Sequence, residues 1–213
     1  MKHKVSKTTL LIALAVLSIT TTQIQAATII DGNFESPALP SNSTQAFTTG
    51  QTFGGVWRVD AAVTSVVLVN GTGGLFPATP DANQFIYLGS SLSPATLAQD
   101  ISGSLSAGEV FTIQFLQSTT TPPSVPGRVN LQVVPTAGGA AIYNNDFLLP
   151  SLADWNQRSA TVSVPTAGNY TMRFSSFSGT AGAIDRVAIV VPEPTTICFL
   201  LIGATLLSTR KRA

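Results

Sequence analysis

An all-β fold, an antiparallel β-sandwich or jelly roll, is what this 213-residue sequence predicts, and three observations carry that expectation. Short runs rich in β-branched and aromatic residues recur between Gly, Pro, Asn and Ser. Several of these runs alternate apolar and polar residues with period two, the pattern of strands covered on one side and wet on the other. Between residues 27 and 191 no stretch shows an apolar stripe at helical spacing, so sheet must pack on sheet.

Residues 64–71 (TSVVLVNG) form an apolar run closed by Asn70 and Gly71, and 83–90 (NQFIYLGS) set Phe85 and Tyr87 on one face. In 109–118 (EVFTIQFLQS), Phe111, Ile113 and Phe115 alternate with Thr112 and Gln114. In 128–135 (RVNLQVVP), Val129, Leu131 and Val133 alternate with Asn130 and Gln132. The runs 158–165 (RSATVSVP), 169–177 (NYTMRFSSF) and 183–191 (AIDRVAIVV) complete the set. Three polar, Gly- or Pro-rich segments, 36–55, 70–83 and 117–127, are expected as loops. Loops on a rigid sandwich either carry binding sites or are plain solvated connectors.

The two ends have a different character. Residues 1–26 place Lys2, Lys4 and Lys7 before an apolar stretch from Leu10 to Ile19 and end in small and polar residues at Ala26, the order of a secretory signal peptide cut by signal peptidase. At the other end, VPEPTTICFLLIGATLLSTRKRA joins a stiff Pro-Glu-Pro to a short apolar run and three cations. The 15 residues between Pro194 and Arg210 would rise roughly 22 Å as a hydrophobic helix, short of a bilayer core about 30 Å thick. The basic cluster orients such a segment with Glu193 outside.

Val191, Pro192, Glu193 and Pro194, the apolar run, and Arg210, Lys211 and Arg212 together resemble the PEP-CTERM sorting signal of exported bacterial proteins. The resemblance implies an exosortase-type membrane protease as partner, a tether to the membrane during sorting, and a final location at the cell surface or in the extracellular matrix. Both prolines keep the cleavage segment out of helix and extended. The organisation expected is therefore a signal peptide (1–26), one domain (27–190) and a sorting tail with a short transmembrane segment (191–213).

Without its ends the body is mildly acidic: residues 27–191 hold five Arg against nine Asp and Glu, a net −4. That leaves no basic footprint for nucleic acid and no polybasic patch for anionic lipid. The body also lacks His, Lys and Cys; the one cysteine, Cys198, lies in the tail. Triads, Cys–His pairs, Schiff-base chemistry and His- or Cys-bound transition metals are thereby excluded. Carboxylate-only hydrolysis or lysis of a glycan survives as a minor alternative, with Asp60, Asp81, Asp100, Glu109, Asp146 and Asp154 as candidates.

The opening IIDGNFESP (29–37) and the closing AIDRVAIVV, with WRV, QFIYL, LSAGEVFTIQF and ADWNQRSATV in order between them, resemble galactose-binding-domain-like jelly rolls, a class that includes many carbohydrate-binding modules. The resemblance implies first and last strands lying together and sharing a structural calcium, with Glu35 and Asp185 as carboxylate ligands and Asp31 a third. Asp185 shares strand parity with Val187 and Ile189, so an inward carboxylate needs a partner: the calcium, an Arg among Arg58, Arg173 and Arg186, or a turn amide that it caps. The resemblance further implies binding of exopolysaccharide or another glycan rather than catalysis, or else a structural matrix role with no specific ligand. Sugars stack on aromatic faces beside a few polar groups. Of the candidate aromatics Trp57, Trp155, Tyr87, Tyr143 and Phe76, both tryptophans are expected in the core. Tyr143, whose ring stands beside Asn144, Asn145 and Asp146 in the chain, and the loop residue Phe76 give Tyr143, Asn145 and Phe76 as the preferred ligand-facing set.

Overall fold

Alternation in the sequence becomes two packed antiparallel sheets in a computed structural model of the protein, which describes residues 27–62, 65–71, 84–89, 95–119, 126–149, 154–177, 180 and 182–191. In spatial order the first sheet is β1 (Thr44–Phe47), β4 (Val66–Asn70), β5 (Gln84–Tyr87), β12 (Ala183–Val190), β7 (Val110–Ser118) and β10 (Asn156–Ser163). The second is β2 (Thr52–Phe53), β3 (Trp57–Ala62), β6 (Ala95–Asp100), β11 (Tyr170–Ser176), β8 (Gly127–Pro135) and β9 (Tyr143–Leu149). From β5 onward the chain passes back and forth between the sheets, staying in one only from β8 to β9, which is jelly-roll winding. Among the described residues there is no helix, so none is long and apolar enough to cross a membrane. The signal-peptide and sorting-tail residues, Val191 excepted, lie outside the described residues, as does Phe76.

Inward residues of the alternating strands make one core. Phe111, Ile113 and Phe115 of β7 face Val129, Leu131 and Val133 of β8 and Met172 and Phe174 of β11, all buried. Phe115 meets Phe147 and Phe174 edge-on, each at 5.1 Å between ring centroids. A second aromatic group, Phe34, Phe47, Phe53 and the fully buried Trp57, closes the amino-terminal part, with Phe34 and Trp57 5.0 Å apart. Trp155 packs edge-on against Phe85 in a small satellite cluster with Val69 and Ala183.

Two differences from the sequence reading matter for the site. The segment 36–55, expected as a loop, contributes β1 and β2, because an edge strand needs only one buried apolar anchor; Phe47 and Phe53 are those anchors. Secondly, β12 is bulged between Asp185 and Ala188, with Arg186 at φ 50°. One extra residue exchanges the faces, so Ile184 and Val187 both enter the core while Asp185 falls on the face of Ala183, not that of Val187.

Candidate functional site

The first polar region lies where the amino-terminal segment meets β12. Pairing between β5 and β12 stops at Ile184, and residues 31–35 take over as the neighbour: Val187 N–H donates to Gly32 O at 2.9 Å. A Cβ at residue 32 would stand 1.9 Å from Val187 O, so only glycine lets these backbones meet. Asp31 and Phe34 both hold left-handed φ values, 52° and 57°. Trp57 Nε1 donates to Asp31 O at 2.9 Å, and Glu35 N–H donates to Asp31 Oδ1 at 2.9 Å, which fixes the turn. Buried Gln84 donates to Phe34 O at 2.6 Å, and buried Gln99 donates to Ile30 O at 2.8 Å, so side chains of both sheets staple the segment.

Three carboxylates gather here. Asp185 is fully buried; its Oδ1 accepts from Arg186 N–H at 2.7 Å while its Oδ2 is buried without a partner. Burial, partly offset by that amide and reinforced by the Glu35 charge, pushes the Asp185 carboxyl up to about 7. Burial raises Asp31 as well, against the amides of Glu35 and Ser36, and its Oδ2 is also buried and unpartnered. Glu35 Oε1 accepts from Gln84 N–H at 3.3 Å. Arg58 and Arg173, alternative partners for Asp185 on sequence grounds, are both taken by Asp60. Among the described residues no group of three or more acidic, His or Cys side chains is close enough to hold one metal ion. Glu35, Asp185 and Asp31 thus share a neighbourhood without closing into a three-carboxylate cluster.

The second polar region is on the outward face of the second sheet. Register sets Asn130 opposite Asp146 and Gln132 opposite Asn144, with Ser175 opposite Asn130 on the other side. Asn130 Nδ2 donates to Asn144 Oδ1 at 2.7 Å and to Asp146 Oδ1 at 2.8 Å, and lies 3.3 Å from Asn145 O. Arg128 Nη2 pairs with Asp146 Oδ2, and the same guanidinium stands 3.9 Å over the Phe177 ring. The Arg128 bond holds the Asp146 carboxyl below the usual carboxylate range. Asn130, Gln132, Asn144, Asn145, Asp146, Ser175 and Phe177 line a depression of about 480 Å³.

The depression contains one of the residues expected to face a ligand, Asn145, whose carbonyl takes part in the Asn130 network. Tyr143 packs against the core instead, because it lies opposite Val133, an inward residue of β8. The polar residues that do face outward are its sequence neighbours Asn144 and Asp146. Asn130 and Gln132 were visible as the wet positions of an alternating strand; only the pairing of β8 with β9 turns them into a site. Of the remaining carboxylate candidates, Asp60 pairs with its arginines, Asp100 with Thr171 and Glu109 with the Ser106 amide, while Asp154 is exposed and its main-chain carbonyl accepts from Asn156. Asp81 lies outside the described residues.

No family model matches the chain, and no curated protein matches it. Solved structures do. Arabinose-bound MgGH51 α-L-arabinofuranosidase is similar with a TM-score of 0.50 at 11% identity, over 76% of this chain and 28% of that one. The enzymatically active domain of bacteriophage CBA120 tailspike protein 4 is similar at 0.48 and 16% identity, over 77% and 21%. TmCBM61 in complex with β-1,4-galactotriose is similar at 0.47 and 14% identity, over 64% and 88%. The chain therefore spans about a quarter of each of the two enzymes. What the likeness shows is the fold, an antiparallel jelly-roll sandwich.

Proposed function

We propose that residues 27–190 form a non-catalytic glycan-binding domain of an exported bacterial surface or matrix protein, with the glycan seated in the depression over β8, β9 and β11. The observation that carries this reading is the amide-lined depression itself. Each amide offers donors and an acceptor, the pairing that vicinal sugar hydroxyls need, and Phe177 supplies an apolar wall. The volume, about 480 Å³, suits a short stretch of polysaccharide. Among the described residues Asp146 is the one carboxylate lining it, and hydrolysis of a glycosidic bond ordinarily needs two. Affinity electrophoresis of the full-length chain in gels containing different polysaccharides tests the reading. Retardation by at least one polymer, lost in Asn144→Ala, supports it; no retardation by any polymer favours a structural matrix role. Glycan turnover abolished by a single Asp→Asn change would support a hydrolase or lyase.

The order of motifs at both ends supports export and PEP-CTERM sorting by an exosortase-type protease. The expected mature protein begins at Ala27 and lacks the residues beyond the Pro-Glu-Pro segment. Intact-mass measurement of exported material checks both cuts, and cytosolic protein still bearing Met1 and Ala213 would contradict them.

At the chain-end junction we propose a structural calcium. Two buried, unpartnered carboxylate oxygens, Asp31 Oδ2 and Asp185 Oδ2, are hard donors of the kind calcium takes; the three carboxylates do not by themselves close round one ion, so main-chain carbonyls and an inward shift of Glu35 would have to complete the set. Calcium would add positive charge to this acidic corner. Chelation then lowers the melting temperature of wild type and leaves Asp185→Ala unchanged; identical wild-type melts with and without chelator would remove calcium from the account.

A further inference from the structure

Beside the amide-lined depression, the same outward face carries a pair of arginines that glycan binding as described does not use. Arg58 of β3 and Arg173 of β11 both lie opposite Ala98 of β6, one on each side, and Arg173 lies opposite Gln132 of the depression. With strands about 4.8 Å apart, the row Asn144, Gln132, Arg173, Ala98, Arg58 runs straight across five strands, roughly 19 Å. Asp60 sits over the centre of the pair. Its Oδ1 accepts from Arg58 Nε at 2.6 Å, and its Oδ2 lies 3.1 Å from Arg173 Nε, off the line of a hydrogen bond. Ala98 between them is fully buried, although each arginine keeps about two fifths of its side chain exposed.

Arg58 is therefore held by its Nε hydrogen bond, and Arg173 by the charge of Asp60 alone. Among the described residues neither guanidinium has a further partner for its Nη atoms, so two planar forks stand on either side of Asp60 with those edges free. One more carboxylate stands close, Asp100, one row along and tied to Thr171 Oγ1 at 2.7 Å. Counted with Asp60 and Asp100 the patch is neutral, so it exerts no long-range pull on a polyanion. What it offers is short-range bidentate geometry for one planar anion.

Resting on the glycan-binding reading, we infer that Arg58 and Arg173 form an anion subsite that takes a carboxylate carried by the bound glycan, so that the preferred ligand is a uronate-containing polysaccharide. The amides hold the hydroxyl-bearing part of the chain, and the uronate one or two residues along reaches the guanidinium edges. Selectivity arises from the fork because the body as a whole, at net −4, repels polyanions.

The test uses the full-length chain and two polymers that differ only in this charge, polygalacturonate and its methyl ester. Wild type is expected to bind the free acid about fivefold more tightly than the ester, the scale of a charge-assisted contact near solvent. At ~1 M salt, where screening acts within about 3 Å, the preference shrinks. Arg173→Gln brings the free acid down to the affinity of the ester. Arg58→Gln, a second variant that leaves Arg173 in place, lowers the preference in the same direction, and melting curves establish that both are folded. Equal affinity of wild type for acid and ester, or a preference that survives both substitutions, overturns the subsite while leaving glycan binding intact. Failure of the acid, the ester and every uncharged polysaccharide to bind overturns the glycan-binding reading and the subsite with it.

Discussion

The chain-end junction and the depression over β8, β9 and β11 are both polar, but their polar atoms are treated in opposite ways. At the junction, Asp31 Oδ2 and Asp185 Oδ2 are buried with no partner. In the depression, buried Asn130 bonds to Asn144 and Asp146, and Asp146 to Arg128, all three of these partners being at least partly exposed, with Arg128 Nε the one buried atom among them left unpartnered. An unpaired buried carboxylate is a standing cost that protons or cations relieve. A solvated, mutually bonded network costs little and can exchange its bonds for those of a ligand. The junction should therefore govern stability and its response to pH and cations; the depression should govern binding and leave stability nearly untouched.

The largest expected effect lies at Asp185. Its folded-state pKa is raised to about 7 from 3.8, so with chelator present stability is full near and below pH 4 and falls as pH rises through 7. The loss is on the order of 4 kcal/mol by pH 8. Denaturant titrations across that window measure it, and Asp185→Asn flattens the profile. A wild-type curve that rises from pH 4 to 8 in chelator would break the comparison at this end.

Gly32→Ala comes next. Its Cβ would press on Val187 O, and relieving that contact separates the amino-terminal segment from β12, at a cost of about 2 kcal/mol. Glycan affinity of the folded variant should match wild type, since the two regions act independently. Asn144→Ala should reverse the pattern. Binding weakens roughly tenfold while stability moves by no more than about 1 kcal/mol, because the Asn130 amide left behind keeps Asp146 and the Asn145 carbonyl as acceptors. Least of all, Asp146→Asn should change stability by well under about 1 kcal/mol, since Arg128 and Asp146 are each about one third exposed and solvent screens the pair.

Much of the sandwich was legible because seven of its strands wear their β character openly. The strands that escaped are those whose composition argues otherwise. Tyr143–Leu149 begins Tyr-Asn-Asn-Asp, which reads as a turn, yet it pairs with β8 over seven positions, its apolar contribution being Tyr143, Phe147 and Leu149 on the inward side. Ala95–Asp100 has weak β-formers and is held as a strand by neighbours on both sides. At the sites, the acidic corner was foreseen by its residues, but the bulge that turns Asp185 away from the face of Val187 leaves no mark in the sequence. The segment 143–146 was likewise singled out, and the face was not. Tyr143 seemed the outward residue because flat rings suit sugars, whereas pairing with Val133 turns it inward and brings Asn144 and Asp146 out. Parity within a polar edge strand is decided by its partner, and the partner is distant in sequence.

Side-chain amide resonances compare the two regions in a single experiment. Oligosaccharide cut from the polymer that retains the full-length protein is titrated into isotopically labelled chain, and the NH₂ signals of Asn130, Gln132 and Asn144 are followed beside those of Gln84 and Gln99, which staple the junction. Saturable shifts in the first three, with Gln84 and Gln99 unmoved, are the predicted result. Binding that shifts Gln84 and Gln99 while Asn130, Gln132 and Asn144 stay still would contradict a glycan site on the outward face of the second sheet.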